Sequence, residues 1–279
     1  MKKLISIGLL AVAVMSVVLS ACGNKSKAVD VENVEKLPLN ISVYLDLSDR
    51  LTRDLTPSQM ERDTAVINHL IDLFIEDCLK NGKIVKSKNH FQVFFYPAPQ
   101  NSEIALLARG LNIDLSKSEV GKKKGLLKNM KAQFQTNLEQ IYNDAIQEQK
   151  WVGCDIWGFF SNKTVDNLCV REGYRNILVI LTDGYLYHAE NKVVDGNSYS
   201  YVLPQTLELK NSSLIVKRKD LSNLEVLMLE VNPYSPKQHD ALIAILEKWF
   251  IGMGVEKFVV SETSLPVNTA VYIDNFVNN

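Results

Sequence analysis

ISVYLDLSDR, residues 41–50, is a nearly continuous apolar run that breaks off in Asp46, Ser48, Asp49 and Arg50. A run of this kind suits a strand covered on both faces, as in a parallel sheet. Four more runs follow, at Phe91–Tyr96, Ile177–Leu181, Val226–Val231 and Phe258–Val260. Helical spacing fills the gaps between them. Ile67, Leu70, Ile71, Phe74, Ile75 and Cys78 make one apolar stripe, behind a capping box read at Thr56-Pro57-Ser58-Gln59 with proline at the first helical position. Leu138, Ile141, Tyr142, Ala145 and Ile146 make a second stripe. Leu242, Ile245, Leu246, Trp249 and Phe250 make a third, after the turn Asn-Pro-Tyr-Ser-Pro. Alternating strands and helices predict a doubly wound, mostly parallel α/β sheet flanked by helices. Ligands of such sheets collect at the carboxyl ends of the strands. The polar residues after Leu45 therefore sit where chemistry is expected. As a triplet, Asp46, Ser48 and Asp49 read equally as an ordinary turn, a phosphate-handling loop or half of a metal site.

The first 21 residues stand apart from the fold. Lys2 and Lys3 precede the apolar segment LISIGLLAVAVMSVVL, and small residues lead into Cys22. This is the pattern of a secretory signal, and Leu-Ser-Ala-Cys resembles the lipobox of bacterial lipoproteins. The resemblance implies cleavage before Cys22, a lipid on its sulfur and an acylated N-terminus. It places the protein in the bacterial cell envelope, and Gly23 after the cysteine leans toward the outer membrane. Residues 22–38 read as a lipidated cysteine with a polar tether, and 39–279 as one domain. Cleavage removes two lysines and no acid, moving the formal charge from −1 to −3. An acidic domain is a poor nucleic-acid binder, whose affinity rests on neutralising phosphates. Cys78, Cys154 and Cys169 remain, an odd number that argues against a disulfide framework. A bridge between Cys154 and Cys169 stays open, and their spacing fits no zinc site.

Two further stretches share the character of the first. NILVILTDG, residues 176–184, is an apolar strand running into Asp183 and a turn glycine, and QTNLEQIYNDAI, residues 135–146, places Thr136 at the head of a helix, with Glu139 completing a second capping box. The order Asp-x-Ser, then Thr-Asn-Leu, then strand-Thr-Asp-Gly resembles the von Willebrand factor type A domain across roughly residues 38–275. The resemblance implies a metal-ion-dependent adhesion site in which Asp46, Ser48, Thr136 and Asp183 hold Mg²⁺, with a coordination position left for an acidic group of a partner. Two hydroxyls and two carboxylates suit that hard, near-octahedral ion.

One departure stands out, because Arg50 replaces the second serine of the family loop. A guanidinium has no lone pair to give a metal and carries a permanent charge. Asp46 and Asp183 facing each other require some cation. Either Mg²⁺ sits there with Arg50 swung outward and Asp49 or Thr52 assisting, or Arg50 itself pairs with both carboxylates and closes the site. Glu230, near the end of another strand, is a further acid candidate.

Residues 184–222 form a long connection for a compact sheet, with YSYVL and SLIVK suggesting a hairpin. It leaves the strand that ends in Asp183, so Tyr185, Tyr187 and Tyr201 are candidate ligand contacts. Lys122, Lys123, Lys124, Lys128 and Lys131 read as a solvated helix face, with contact to lipid headgroups or an acidic partner as the alternative. The histidines lack metal-ligand spacing. No P-loop, nucleophile elbow or His-Glu-x-x-His appears. The expected function is that of a membrane-anchored module binding a protein or acidic ligand. The alternatives are a metal-free scaffold and a Mg²⁺-dependent phosphate hydrolase acting through Asp46.

Overall fold

The apolar runs pair side by side in a computed structural model that describes residues 36–80, 84–149, 153–184, 192–195, 198–201, 216, 218–232 and 236–279. The strands are β1 Leu39–Leu45, β2 His90–Phe94, β3 Asn112–Asp114, β4 Arg175–Leu181, β5 Lys192–Asp195, β6 Ser198–Tyr201, β7 Leu224–Val231 and β8 Lys257–Glu262. Six of them form one sheet in the order β3-β2-β1-β4-β7-β8. Every neighbouring pair in it is parallel except β2–β3 at the edge. This is the doubly wound α/β architecture that the sequence predicts.

Seven helices connect the strands among the described residues: α1 Gln59–Leu79, α2 Ser102–Arg109, α3 Val120–Glu148, α4 Ile156–Ser161, α5 Thr164–Cys169, α6 Pro236–Gly252 and α7 Pro266–Asn278. Side chains of a strand alternate between faces, and each face has its own core. Ile41, Val43, Ile177 and Val179 turn toward α1, α3 and α7, where Phe74, Phe91 and Phe134 stack edge to face. Tyr44, Leu178, Ile180 and Met228 turn the other way, into an aromatic layer with Phe159, Phe160, Trp249 and Phe250.

Two helix starts differ from the sequence expectation. The capping box of α1 is Ser58 with Glu61, not a box beginning at Thr56: the Ser58 hydroxyl accepts from the Glu61 amide, and the Glu61 carboxylate accepts from the Ser58 amide at 2.7 Å. α3 begins sixteen residues before Thr136, because Leu127, Met130 and Phe134 extend the buried stripe of Leu138, Ile141, Tyr142 and Ala145 toward the amino end. The 184–222 connection does contain a hairpin, but β6 pairs with β5, KVVD, rather than with SLIVK. Most of SLIVK lies outside the described residues. Cys78, Cys154 and Cys169 are buried free thiols, so Cys154 and Cys169 are not bridged.

Phe91 lies between Phe74 and Phe134 with ring centroids 5.5 and 5.7 Å away. Phe91→Ala leaves a cavity that neither neighbour can fill, and should cost about 3–5 kcal/mol. Urea unfolding measures it, and a loss below about 1 kcal/mol would mean that this face of the core collapses around the gap.

Candidate functional site

β1 and β4 run parallel and in register, with Leu45 opposite Leu181, so the residues that follow them leave on one rim. The backbone continues the pairing one step further, as the Asp46 amide donates to the Leu181 carbonyl at 3.0 Å. Thr182 then donates its hydroxyl to Asp46 Oδ2 at 2.8 Å. Asp183 follows immediately, and its carbonyl accepts from the Asn232 amide beyond β7. Gly184 takes φ +90°, and a Cβ there would meet Val231 Cγ1 at 2.9 Å. The Asp-Gly turn therefore tolerates no side chain at its second position.

Arg50 is turned inward, not outward. Its side chain is about 1% exposed, at the start of a 3₁₀ turn, Asp49–Thr52, capped by Ser48. Nη2 and Nη1 donate to the Asp63 carboxylate of α1 at 2.6 and 3.4 Å. Nε donates to the Asp46 carbonyl at 3.0 Å and lies 3.7 Å from Asp46 Oδ2. Gln59 and Tyr142 also donate to Asp63, joining α1, α3 and the 3₁₀ turn through one carboxylate. Arg50 thus bridges Asp46 and Asp63 rather than Asp46 and Asp183. Asp183 has its own cation: Arg53 Nη2 donates to its Oδ2 at 2.8 Å, while Arg53 Nη1 donates to the Asn232 carbonyl.

Glu230 joins this cluster through a kink. In β7, Val226 and Met228 belong to the aromatic face and Leu227 and Leu229 to the other. Strict alternation would give Glu230 to the aromatic layer. Instead Glu230 adopts φ +66°, the pairing with β8 shifts register between Met228 and Val231, and Val231 takes the aromatic face. A bulge redirects one side chain in this way, at the cost of a backbone conformation that residues other than glycine seldom adopt. Glu230 ends 2% exposed, near Asp63, Arg62 and Arg50, with Oε2 lacking a hydrogen-bond partner among the described residues.

The charges follow from this packing. Burial, with Asp63 adding to it, pushes the Glu230 carboxyl up to about 7 against the pull of Arg62, Arg50 and Gln59. Burial also raises Asp46 above the usual carboxylate range, opposed by Arg50, Thr182 and Ser48. Asp46 Oδ1 makes no hydrogen bond of good geometry to the described residues. Cys154, at the same rim beside Tyr44, has its thiol pushed well up by burial and by the Asp46 charge. It is a neutral packing group there, not a nucleophile.

The other sequence candidates divide between this rim and other surfaces. Thr136 lies on the exposed side of α3, on the face opposite the buried Phe134, Leu138 and Tyr142, so it neither opens a helix nor joins the rim. The helix start that does reach the rim is Asp155, which caps α4 through the Gly158 amide and hangs from the Tyr96 carbonyl. Ser48 accepts from the Arg50 amide, and Thr52 donates to the Asp49 carbonyl within its own turn, with Asp49 and Thr52 both exposed. Tyr185 and Tyr187 lie outside the described residues, and Tyr201 ends β6. Asp63, Gln59, Tyr142 and Arg53 were not anticipated. Asp63 carried a signal nonetheless: it falls on the apolar stripe of α1, with Gln59, Val66, Ile67 and Leu70, where a carboxylate needs a partner.

These residues do not fit a divalent ion in the arrangement that the family resemblance implies. The threonine oxygen is on another surface, and each of the two rim aspartates already faces a guanidinium. Among the described residues no three histidine, cysteine, aspartate or glutamate side chains converge as metal ligands do. Beside Asp46, Leu45 and Leu47 border a cavity of about 460 Å³ lined also by Phe95, Pro97, Asn101 and Glu148. Its lining mixes apolar side chains with polar ones, Gln100, Ser102, Asn101 and Glu148 among them.

No family model matches the chain, and no curated protein does. Among solved structures, a conserved hypothetical protein, BatB, from Bacteroides thetaiotaomicron aligns with TM-score 0.38 and 14% identity, over 86% of this chain and all of that one. The pilus adhesin SpaC from Lactobacillus rhamnosus GG aligns with TM-score 0.38 and 10% identity, over 88% of this chain and 30% of that one. The fold assignment rests on strand order and pairing.

The raised Glu230 value gives stability a pH signature. A carboxyl whose folded pKa exceeds its unfolded one binds more protons in the folded state between the two values, so stability falls as pH rises from about 4.5 to about 7. At roughly 1.4 kcal/mol per unit the loss is roughly 3 kcal/mol. Because Asp46 shifts in the same direction, the readout is the difference between natural protein and Glu230→Gln. The variant should gain stability at pH 8 relative to the natural protein, and little or none at pH 4.5. Parallel stability curves would show that Glu230 is charged in the folded state throughout.

Proposed function

We propose that the protein is a binding module of the von Willebrand type A kind, held in the bacterial cell envelope by a lipid on Cys22, that engages a protein partner at the carboxyl-end rim of its sheet. One observation carries this reading: the residues ending β1, β4 and β7 converge on that rim with two arginines, beside the recess bordered by Leu45 and Leu47. The family's site uses a metal ion to offset its aspartates and attract an acidic group. Here Arg50 and Arg53 supply the positive charge, so binding needs no Mg²⁺. Arg53, half-buried at the edge, is the cation closest to solvent, and an acidic side chain of the partner would approach it. The connection that follows Gly184 selects the partner in this reading, with Tyr185, Tyr187 and Tyr201 as contacts. The hydrolase alternative gains nothing from the rim, because Asp46, the nucleophile it requires, is buried against Arg50 and Thr182.

Two measurements test the proposal. Millimolar Mg²⁺ or Mn²⁺ should leave the melting temperature unchanged, since only a ligand that prefers the folded state raises it; a rise of several degrees would return the cation to the site. In cells, a photocrosslinking residue at Leu47, Asp49 or Gln100 should trap a protein partner, and one at exposed Asn129 should not. Equal trapping at both would remove the rim as the binding face. Attachment has its own check: a labelled fatty acid should be incorporated into the natural chain and not into Cys22→Ser.

A further inference from the structure

The opposite rim of the sheet has a different composition. It is formed where β1, β2 and β4 begin, and it is where the chain enters the fold: the Leu39 amide donates to Asn89 Oδ1 at 3.0 Å, and the Arg175 amide to the Pro38 carbonyl. Asn89 follows Lys88 directly. The first turn of α3 packs onto the same loop, with Lys123 Nζ donating to the carbonyls of Val85 and Ser87.

Around this entry point the surface is basic. Lys80, Lys86, Lys88, Lys117, Lys122, Lys124 and Lys128 are all exposed. Most of the nearby acids are engaged: Glu76 with Lys80, Asp114 with Arg171 and Lys117, Glu119 with Lys122, and Asp77 with Asn89, while Glu172 ahead of β4 has no ion pair among the described residues. Lys86, Lys88, Lys124 and Lys128 have no ion pair among the described residues. Between them stand exposed apolar side chains, Val85 at 57% and Val120 at 56%, with Leu79 and Leu37 about half exposed. Lysines interleaved with exposed aliphatic groups suit the headgroup layer of a bilayer, where the chain stems and aliphatic groups meet apolar depth and the ammonium groups meet phosphate.

We propose that this amino-end rim docks on an anionic lipid surface. The inference rests on the lipid-anchored reading, because a chain tied at Cys22 reaches its fold through only the 16 residues from Gly23 to Pro38. Those span at most about 58 Å when fully extended, and they arrive at the basic rim itself. The lipid anchor keeps the domain near the surface, and the unpaired lysines settle this rim within about one Debye length, ~8 Å, of the phosphates. The acid-and-arginine rim at the other ends of the strands then faces away from the bilayer, toward a partner.

The test uses the full chain reconstituted into vesicles of phosphatidylcholine alone, or with about one-third phosphatidylglycerol, carrying a headgroup quencher. A fluorophore is attached through Gly121→Cys, an exposed position with open space at its Cβ, or through Gln100→Cys on the far rim as control. In anionic vesicles the Gly121 probe should be quenched and the Gln100 probe should not. In neutral vesicles neither should be quenched. Each lysine at an anionic surface contributes about fivefold (~1 kcal/mol), so combining Lys86→Glu, Lys88→Glu, Lys124→Glu and Lys128→Glu should lower the docked fraction relative to undocked at least about a hundredfold. Equal quenching in the two vesicle types, or quenching that survives the four reversals, overturns the proposal. If the chain does not float with neutral vesicles, the anchor reading fails by itself. Flotation with anionic vesicles then reads the rim alone: loss in the fourfold variant supports docking, and no flotation of the natural chain overturns it.

Discussion

Arg50 is a full charge sealed inside a protein, and the carboxyl-end rim is arranged around the need to compensate it. A buried guanidinium is tolerable only with a partner of good geometry and few unused donors, and removing one member of such a pair costs about 3–5 kcal/mol. Asp63 supplies two oxygens and Asp46 a carbonyl. Because Asp63 also accepts from Gln59 and Tyr142, the charge constraint becomes a geometric one. The 3₁₀ turn after β1, the first turns of α1 and the last turns of α3 are fixed relative to one another by a single carboxylate.

Charge counting explains the neighbours. Asp63 balances Arg50, and Arg53 balances Asp183. Asp46 and Glu230 remain, with only Arg62, among the described residues, beside Glu230 to offset them, in a region too buried to carry the excess negative charge cheaply. Both shift toward the protonated form. Raising both carboxyls lowers the negative charge that this buried region must carry.

A parallel sheet gives its two rims different tasks. All carboxyl ends of the parallel strands gather on one side, with the acids, arginines and recess, and all their amino ends on the other, with the lysines and the chain entry. Seven residues of β1 rising about 3.3 Å each separate the two by about 23 Å. The proposed anchoring at one rim and binding at the other would use this polarity, which the fold supplies without further devices.

The sheet was legible from the chain, because burial on both faces forces unbroken apolar runs, and each of the five runs became a strand. The placement of Asp46 and Asp183 together was legible for the same reason: parallel strands must release their ends on one rim. Thr136 misled because a cap and a mid-helix threonine look alike once the helix is allowed to begin late. The buried Leu127, Met130 and Phe134, upstream of it, were the overlooked clue. What the chain settled by itself was local periodicity and, through it, the rim on which the acids emerge, since side-chain alternation and strand direction are properties of neighbouring residues. Only the tertiary structure decided that Arg50 turns inward to Asp63, that Arg53 meets Asp183, and that a bulge brings Glu230 across the sheet. Each of these depends on groups up to 180 residues apart desolvating one another, and that energy does not exist until the fold has closed around them.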